Sequence, residues 1–221
     1  MVDLEEGLLR VAGIPIRVHW SLTLLLLAVV SFTWWSQGGA AGLRGVVLAL
    51  CVIGSVLVHE LGHAWVASWF GIGTRVIVLL PIGGAAYLER AWVAPSVDAW
   101  VAFAGPAASL LLGLGLLALG ELVPSTTATM LGLINVGLGL FNLIPAYPMD
   151  GGRVLRALLV PRFGTVRATG AALILGLAFV VGFAGLGAWA GQPEILVLSL
   201  FLILKQRREW VQLRALSAST G

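Results

Sequence analysis

The amino-acid sequence predicts an all-α membrane protein with about six transmembrane helices. Of its 221 residues, 59% are hydrophobic and only 10% are charged, and the mean hydropathy is +1.02. Soluble domains contain about 25% charged residues, so this composition excludes that class. A helix that spans a bilayer needs about 20 apolar residues. The chain length therefore accommodates about six such helices and leaves no room for a large soluble domain.

Apolar stretches locate these helices along the chain. The predicted spans are approximately 20–36, 45–70, 98–120, 127–147, 168–190 and 193–205. Pro193 and Glu194 favour a turn between the last two spans rather than one continuous helix. We find no linker or internal repeat, and therefore expect residues 1–221 to form a single transmembrane domain.

The distribution of basic residues predicts the orientation of these spans. If the N-terminus is cytoplasmic and there are six spans, all 13 Lys and Arg residues except Arg44 lie on the cytoplasmic side. The positive-inside rule strongly favours that arrangement. We therefore expect a multi-pass protein of the cell membrane, embedded in the lipid bilayer, with both termini in the cytoplasm. The same distribution explains the pI near 9.8 without a nucleic-acid partner.

Two of the three histidines lie four residues apart in the sequence HELGH, residues 59–63, within the second predicted span. On a helix, His59 and His63 share one face and can bind a single Zn²⁺. Glu60 is then placed to act as a general base toward water beside the metal. Ionisable groups inside a bilayer cost free energy. A metal site with hydrolytic chemistry accounts for their presence.

A catalytic zinc usually has three protein ligands and one position open for water, so a third ligand is required. Asp150 is the best candidate, because the predicted topology places it at the same membrane depth as His59 and His63. We interpret His19, at the entry of the first span, as an interfacial residue. Asp98 lies at the start of a predicted helix, where a negative charge is favourable.

The segment before Asp150 is unusual for a membrane span. In the sequence NLIPAYPMDGGR, residues 142–153, Pro145 and Pro148 must distort a helix and free backbone carbonyls. Irregular backbone at membrane depth is tolerated where it is buried in protein or lines a watery cavity, and hydrolysis requires that water. Gly151 and Gly152 allow a sharp turn directly after Asp150.

Together, HELGH and NLIPAYPMDGGR resemble the paired signatures of the site-2 protease family of intramembrane zinc metalloproteases. The resemblance covers residues 18–156, about two-thirds of the chain. It implies that His59, His63 and Asp150 bind one Zn²⁺ per chain and that Glu60 is the catalytic base.

Other residues acquire expected roles from the same resemblance. Asn142 matches the family's asparagine ahead of the aspartate, which implies a catalytic hydrogen bond to the substrate carbonyl or oxyanion. The sequence PIGGAAY, residues 81–87, resembles the family's glycine-containing loop after the catalytic helix. It implies a short re-entrant or β-hairpin loop in which Gly83 and Gly84 help to bind an extended substrate strand. GPAAS, residues 105–109, resembles a further motif, but family members often have Asn at the position of Ser109, which weakens any role for that serine.

The resemblance also implies transmembrane protein substrates, typically membrane-tethered transcription regulators or signal-peptide remnants, cleaved within or at the edge of the membrane. The segment between His63 and Asp98 is too short for the PDZ insertion of some family members. Paired CBS modules, which follow the core in others, are not part of this sequence. We therefore expect either a minimal form of the family or part of a longer chain.

Two other function classes stay open. A membrane metal-ion transporter would use the same His and Asp groups for transit, but it predicts several sites along a path. A non-catalytic scaffold would bind zinc in a closed site with four ligands, and the sequence offers no convincing fourth ligand. The leading expectation is a zinc metalloendopeptidase that performs regulated intramembrane proteolysis.

Overall fold

The computed structural model describes residues 9–81, 83–90 and 93–219. These residues form six helices and one four-stranded sheet. In chain order the elements are β1 (Leu9–Val11), β2 (Ile14–Val18), α1 (Trp20–Gln37), α2 (Gly39–Trp69), β3 (Thr74–Leu80), β4 (Gly83–Leu88), α3 (Pro95–Leu122), α4 (Thr126–Asn142), α5 (Asp150–Trp189) and α6 (Pro193–Ser219). The mainly helical fold and the number of helices confirm the prediction.

Several of these helices have the length and composition of membrane spans. Among the described residues, Gly42–Trp69, Pro95–Leu122 and Asp150–Trp189 are long and apolar enough to cross a bilayer, and Trp20–Ser36 is a shorter apolar helix. Large apolar side chains are widely exposed, for example Trp189 at 88%. An apolar surface of this extent is typical of contact with lipid, and the protein is an integral membrane protein.

The helix that precedes Asp150 is shorter than the sequence suggests. α4 ends at Asn142, whereas the predicted span continues to residue 147. Residues 143–149 form a short irregular segment that contains Pro145 and Pro148. Proline cannot donate a backbone hydrogen bond and clashes with the preceding helical turn, so the helix stops before both prolines.

The last two helices are longer than the sequence suggests. α5 begins at Asp150, well before the predicted span at 168–190, and it contains a break at Gly164, where φ is 74°. α6 continues to Ser219, past the predicted end at residue 205. Both additional segments contain arginines, which hydropathy excludes from a span although a helix outside the apolar layer accepts them.

The sheet lies near the start of the chain and has the strand order β1-β2-β3-β4. β3 and β4 form the antiparallel hairpin that was predicted for the segment after α2. The parallel pairing of β2 with β3, in which Ile16 lies opposite Ile77, was not predicted. Ile16 and Ile77 are buried in one apolar cluster with Leu22 of α1 and Ala64 of α2. The sheet therefore packs against the helix that carries HELGH.

The described residues divide into two compact units. The first contains the described residues up to 90 together with Ala104–Gly139, and thus the sheet, α1, α2 and most of α3 and α4. The second contains Val93–Phe103 and the described residues from Leu140 onward, including α5 and α6. Within the second unit, Tyr147, Ala172, Leu173 and Leu213 form a buried apolar cluster.

In the first unit, α3 and α4 approach each other closely at two glycines. A Cβ atom at Gly113 would lie 2.9 Å from the carbonyl oxygen of Gly132, and one at Gly132 would lie 3.0 Å from that of Gly113. Without side chains at these positions, the two backbones can pack directly. Small residues are common at helix interfaces in membranes because they permit this close contact.

We expect Gly132→Leu to destabilise the protein by about 1–3 kcal/mol, because the added side chain overpacks the α3–α4 contact. Gly137→Leu is the matched control on the same helix, since a Cβ there meets no atom within 4 Å. The measurement is the thermal unfolding midpoint of each purified variant in detergent. Equal shifts in the two variants would contradict the assigned packing role.

Candidate metal centre

The two histidines of HELGH lie one turn apart on α2 and are both buried, with 5% and 6% of their surface exposed. The Nε2 atoms of His59 and His63 are 3.2 Å apart. Two nitrogen ligands at about 2.0–2.1 Å from a tetrahedral zinc lie about 3.3 Å from each other. The spacing of these two nitrogens therefore fits a common metal ion.

The backbone of α3 faces the two imidazoles at Gly105. A Cβ atom at Gly105 would collide with Nε2 of His63 and would lie 2.8 Å from Nε2 of His59. The absence of a side chain at this position leaves space beside both nitrogen atoms. An ion shared by the two imidazoles requires such a space.

Glu60 contacts strand β4 rather than a helix. Its Oε2 atom accepts a hydrogen bond of 3.0 Å from the backbone N–H of Ala86. A Cβ atom at Gly84 would lie 2.6 Å from Cγ of Glu60, so glycine is required for this close approach. Among the described residues, β4 is the last strand of the sheet and pairs only with β3. The N–H of Ala86 donates to Glu60 on the edge of β4 that faces away from β3. Glu60 therefore lies at the unpaired edge of the hairpin.

Of the two glycines expected to bind substrate, Gly84 contacts Glu60 and Gly83 begins β4. Gly83 has φ of 95°, a conformation that glycine adopts at little cost. It lies directly opposite Leu80 in the hairpin.

Asp150 is the first residue of α5. The two glycines that follow it do not form the sharp turn that was expected, because both lie in the first helical turn without positive φ. A Cβ at Gly152 would lie 2.6 Å from the carbonyl carbon of Ala146. Their missing side chains instead allow residues 143–147 to pack against the start of the helix.

His59 and His63 lie in the first unit, and Asp150, the expected third ligand, begins α5 in the second. Two imidazoles and one carboxylate are a donor set of catalytic zinc sites, which leave one coordination position open. The donor types, the nitrogen spacing and the space at Gly105 all fit such an ion.

Comparison with known proteins assigns the family. The model of peptidase family M50 matches residues 47–126 and 121–183, which include HELGH and Asp150. The chain belongs to peptidase family M50. The resemblance to site-2 proteases deduced from the sequence is thereby confirmed.

Individual relatives are similar to most of the chain. A zinc metalloprotease from Methanocaldococcus jannaschii is 31% identical over 207 residues, 91% of this chain and 59% of that protein. The putative zinc metalloprotease Rip3 from Mycobacterium tuberculosis is 38% identical over 212 residues, 81% of this chain and 53% of that protein. The chain thus spans little more than half the length of these relatives.

A solved structure of a site-2 protease from Methanocaldococcus jannaschii shares the fold. Its TM-score is 0.70 at 32% sequence identity, and the match covers 92% of this chain and 94% of that one. The M50 family and this fold agree with the predicted membrane metalloprotease architecture.

Ser109, for which we expected at most a weak role, contacts His59 directly. Its Oγ atom lies 2.9 Å from Nδ1 of His59, and the serine is completely buried. A hydrogen bond at Nδ1 fixes the orientation of an imidazole and leaves Nε2 for a metal. Gly105 and Ser109 have the same four-residue spacing as His59 and His63, a signal that could have indicated two facing helices.

Two remaining candidates have clear positions. Asn142 is the last residue of α4, ahead of the segment that leads to Asp150. His19 caps the N-terminus of α1, where its Nδ1 atom accepts a hydrogen bond from the N–H of Ser21. The capping contact gives His19 a structural role at the start of α1.

We expect Gly105→Ala to weaken metal binding by about tenfold or more, because the methyl group would occupy the space beside both Nε2 atoms. Gly115→Ala is the matched control, as a Cβ at that position on the same helix meets nothing within 4 Å. The measurement is the Zn²⁺ affinity of each purified variant, by competition with a chromophoric chelator. A Gly105→Ala protein with the affinity of the wild type would show that the ion does not lie there.

Proposed function

We propose that this chain is an intramembrane zinc metalloprotease that hydrolyses peptide bonds within transmembrane segments of membrane-tethered proteins, in regulated intramembrane proteolysis. The observation that carries the proposal is the position of Glu60. This buried carboxylate follows a metal-binding histidine in the chain and bonds to the N–H of Ala86 at the unpaired edge of β4. A potential base, a metal site and a surface for an extended peptide are thus adjacent.

The proposed zinc ligands are His59, His63 and Asp150, with one ion per chain. Zinc bound there would polarise a carbonyl group and lower the pKa of neighbouring water. The hydrogen bond between Nδ1 of His59 and Oγ of Ser109 holds His59 in the orientation that directs its Nε2 toward the shared space.

Glu60 is the proposed general base. Its carboxylate takes a proton from the attacking water and then delivers that proton to the amine that leaves, as the chemistry of peptide hydrolysis requires. The N–H of Ala86 holds one carboxylate oxygen at 3.0 Å and so restricts its rotation. Asn142 is proposed to donate its side-chain N–H to the oxyanion that develops on the substrate carbonyl.

The substrate segment is proposed to pair with β4 as an additional strand. A transmembrane helix satisfies its own amide groups and hides its peptide bonds, so the segment must become extended before water can attack. The edge of β4 supplies main-chain partners for that extended form, with Gly83 and Gly84 at its start. Membrane-tethered transcription regulators and signal-peptide remnants are the proposed substrate types.

The proposed orientation has both termini in the cytoplasm, with the active site toward that side. This orientation rests on the asymmetry of the Lys and Arg residues and on the positive-inside rule. Water would reach the active site from the cytoplasmic face, and substrate would enter from the lipid.

We expect Glu60→Gln to retain zinc and to lower the cleavage rate by about 10²–10⁴-fold, because the amide cannot accept the proton. The assay uses purified protein in detergent with a single-span test substrate, and product masses identify the bond that is cut. Glu121→Gln, at an exposed position on α3, is the control and should cleave like the wild type.

Wild-type cleavage rates in the Glu60→Gln variant would contradict the proposed mechanism. No cleavage by any variant, combined with zinc flux into liposomes that contain the wild type, would favour the metal transporter. Among the described residues only one group can hold a metal, whereas a transport path requires several sites.

We expect Gly84→Ala to lower kcat by about 10²-fold, because the added methyl group would displace the Glu60 carboxylate by about 1 Å. Gly54→Ala serves as the control, since a Cβ at that position on α2 meets nothing within 4 Å. Cleavage kinetics and zinc content are measured together. Loss of zinc, rather than of kcat, would show that Gly84 acts on the metal site and not through the base.

A further inference from the structure

Asp98 is a buried anion with two cationic partners. Its side chain is 7% exposed, and its two oxygens accept hydrogen bonds of 2.8 Å from Arg153 and 2.6 Å from Arg156. The sequence suggested only a charge at the N-terminus of a helix. The structure shows instead that Asp98, in the first turn of α3, contacts two arginines of α5.

One of these arginines also reaches the proposed metal ligand. The Nη2 atom of Arg153 bonds to Asp98, while its Nη1 atom lies 3.5 Å from Oδ1 of Asp150. Asp150 and Arg153 are three residues apart, so the two side chains lie next to each other on one helix face. A single planar guanidinium therefore lies between two carboxylates.

This arrangement restricts how Asp150 can present its oxygens. A carboxylate on the first residue of a helix can rotate, and either oxygen can bind a metal. Contact of Oδ1 with a fixed guanidinium favours one rotamer, in the way that hydrogen-bonded neighbours orient metal ligands in other proteins. The long side chain of Arg153 is flexible and could adopt many positions. Its hydrogen bond to Asp98 fixes the guanidinium in one of them.

The charges also balance. Two carboxylates and two guanidinium groups sum to zero, which lowers the cost of placing them together in a poorly solvated region. Without Asp98, the charge of Arg153 would be directed at Asp150 alone and would compete with a metal cation for its negative charge. Asp98 therefore both fixes Arg153 and offsets its charge.

We propose that Asp98 is a positioning residue for Asp150 and that it acts through Arg153 to increase the affinity of the metal centre. This inference rests on the proposed role of Asp150 as a zinc ligand. The inference gives Asp98 a role in metal retention and not only in the packing of α3 against α5.

Arg153 and Arg156 provide a matched pair for the test. Each donates one short hydrogen bond to Asp98, and their side chains are similarly exposed, at 31% and 27%. Among the described residues, Arg156 forms its ion pair with Asp98, whereas Arg153 reaches Asp150 as well. A purely structural role of the cluster would make the two arginines equally important.

The experiment measures Zn²⁺ dissociation constants of variants of the 221-residue chain in detergent, by chelator competition, together with thermal unfolding of the metal-free proteins. Arg153→Met and Asp98→Asn are expected to raise the dissociation constant by about 10–100-fold. Arg156→Met is expected to change it by less than about threefold, although it lowers the unfolding midpoint as much as Arg153→Met does. Arg153→Lys, which keeps the charge but not the planar fork, is expected to give an intermediate value.

An Arg153→Met protein with the wild-type dissociation constant would overturn the inference, as would equal increases for Arg153→Met and Arg156→Met. If Arg153→Met does not fold, Arg153→Lys compared with Arg156→Lys decides by the same criterion. Asp150→Asn tests the ligand assignment separately. Wild-type zinc affinity in that variant would refute the assignment itself, whereas weak binding in Asp150→Asn with unaltered binding in Arg153→Met would refute only the role of Asp98.

Discussion

The close approach of α2 and α3 is the constraint on which the histidine site depends. Two imidazoles can share an ion only if the opposite wall leaves space beside both nitrogens, and Gly105 provides such a wall. The contact is glycine-based on both helices, because a Cβ at Gly62 would lie 2.7 Å from the carbonyl oxygen of Ala104. Gly62 is one of the two variable positions of H-E-x-x-H, so this motif also contributes to helix packing. Ser109 uses the same proximity to reach His59.

The helices could largely be predicted from the sequence, whereas the sheet could not. Long apolar runs are a local signal, and so are prolines that stop a helix. The parallel pairing of β2 with β3 joins Ile16 to Ile77 across two intervening helices, and no local pattern encodes a contact of that separation. The first part of α5 was missed for a different reason: its arginines lower the hydropathy, although arginine is a good helix former.

Some residues of the candidate site could likewise be predicted from the sequence, and others could not. His59, Glu60 and His63 are recognisable because their spacing matches the helical repeat, and Asp150 is recognisable by its flanking prolines and its depth. Ser109, Gly105 and Asp98 are not, because their contacts depend on which helices become neighbours. Asp98 shows the difference clearly. A carboxylate in the first turn of a helix has an adequate local explanation, and only the folded chain reveals that it is buried between two arginines.

In the proposed reaction, β4 and Glu60 both reduce the cost of unpaired backbone amide groups. An extended peptide in a region with little water leaves amide groups unpaired, and each unpaired group costs several kcal/mol. A strand edge supplies those partners, but the same edge is itself unpaired when no peptide is present. In the described chain the N–H of Ala86 does not face this cost, because Glu60 accepts its hydrogen bond. The carboxylate that is proposed to move the proton thus also satisfies the strand that is proposed to hold the substrate. The proposed proton transfer and the proposed binding of the extended peptide consequently depend on the same part of β4, around Gly84 and Ala86.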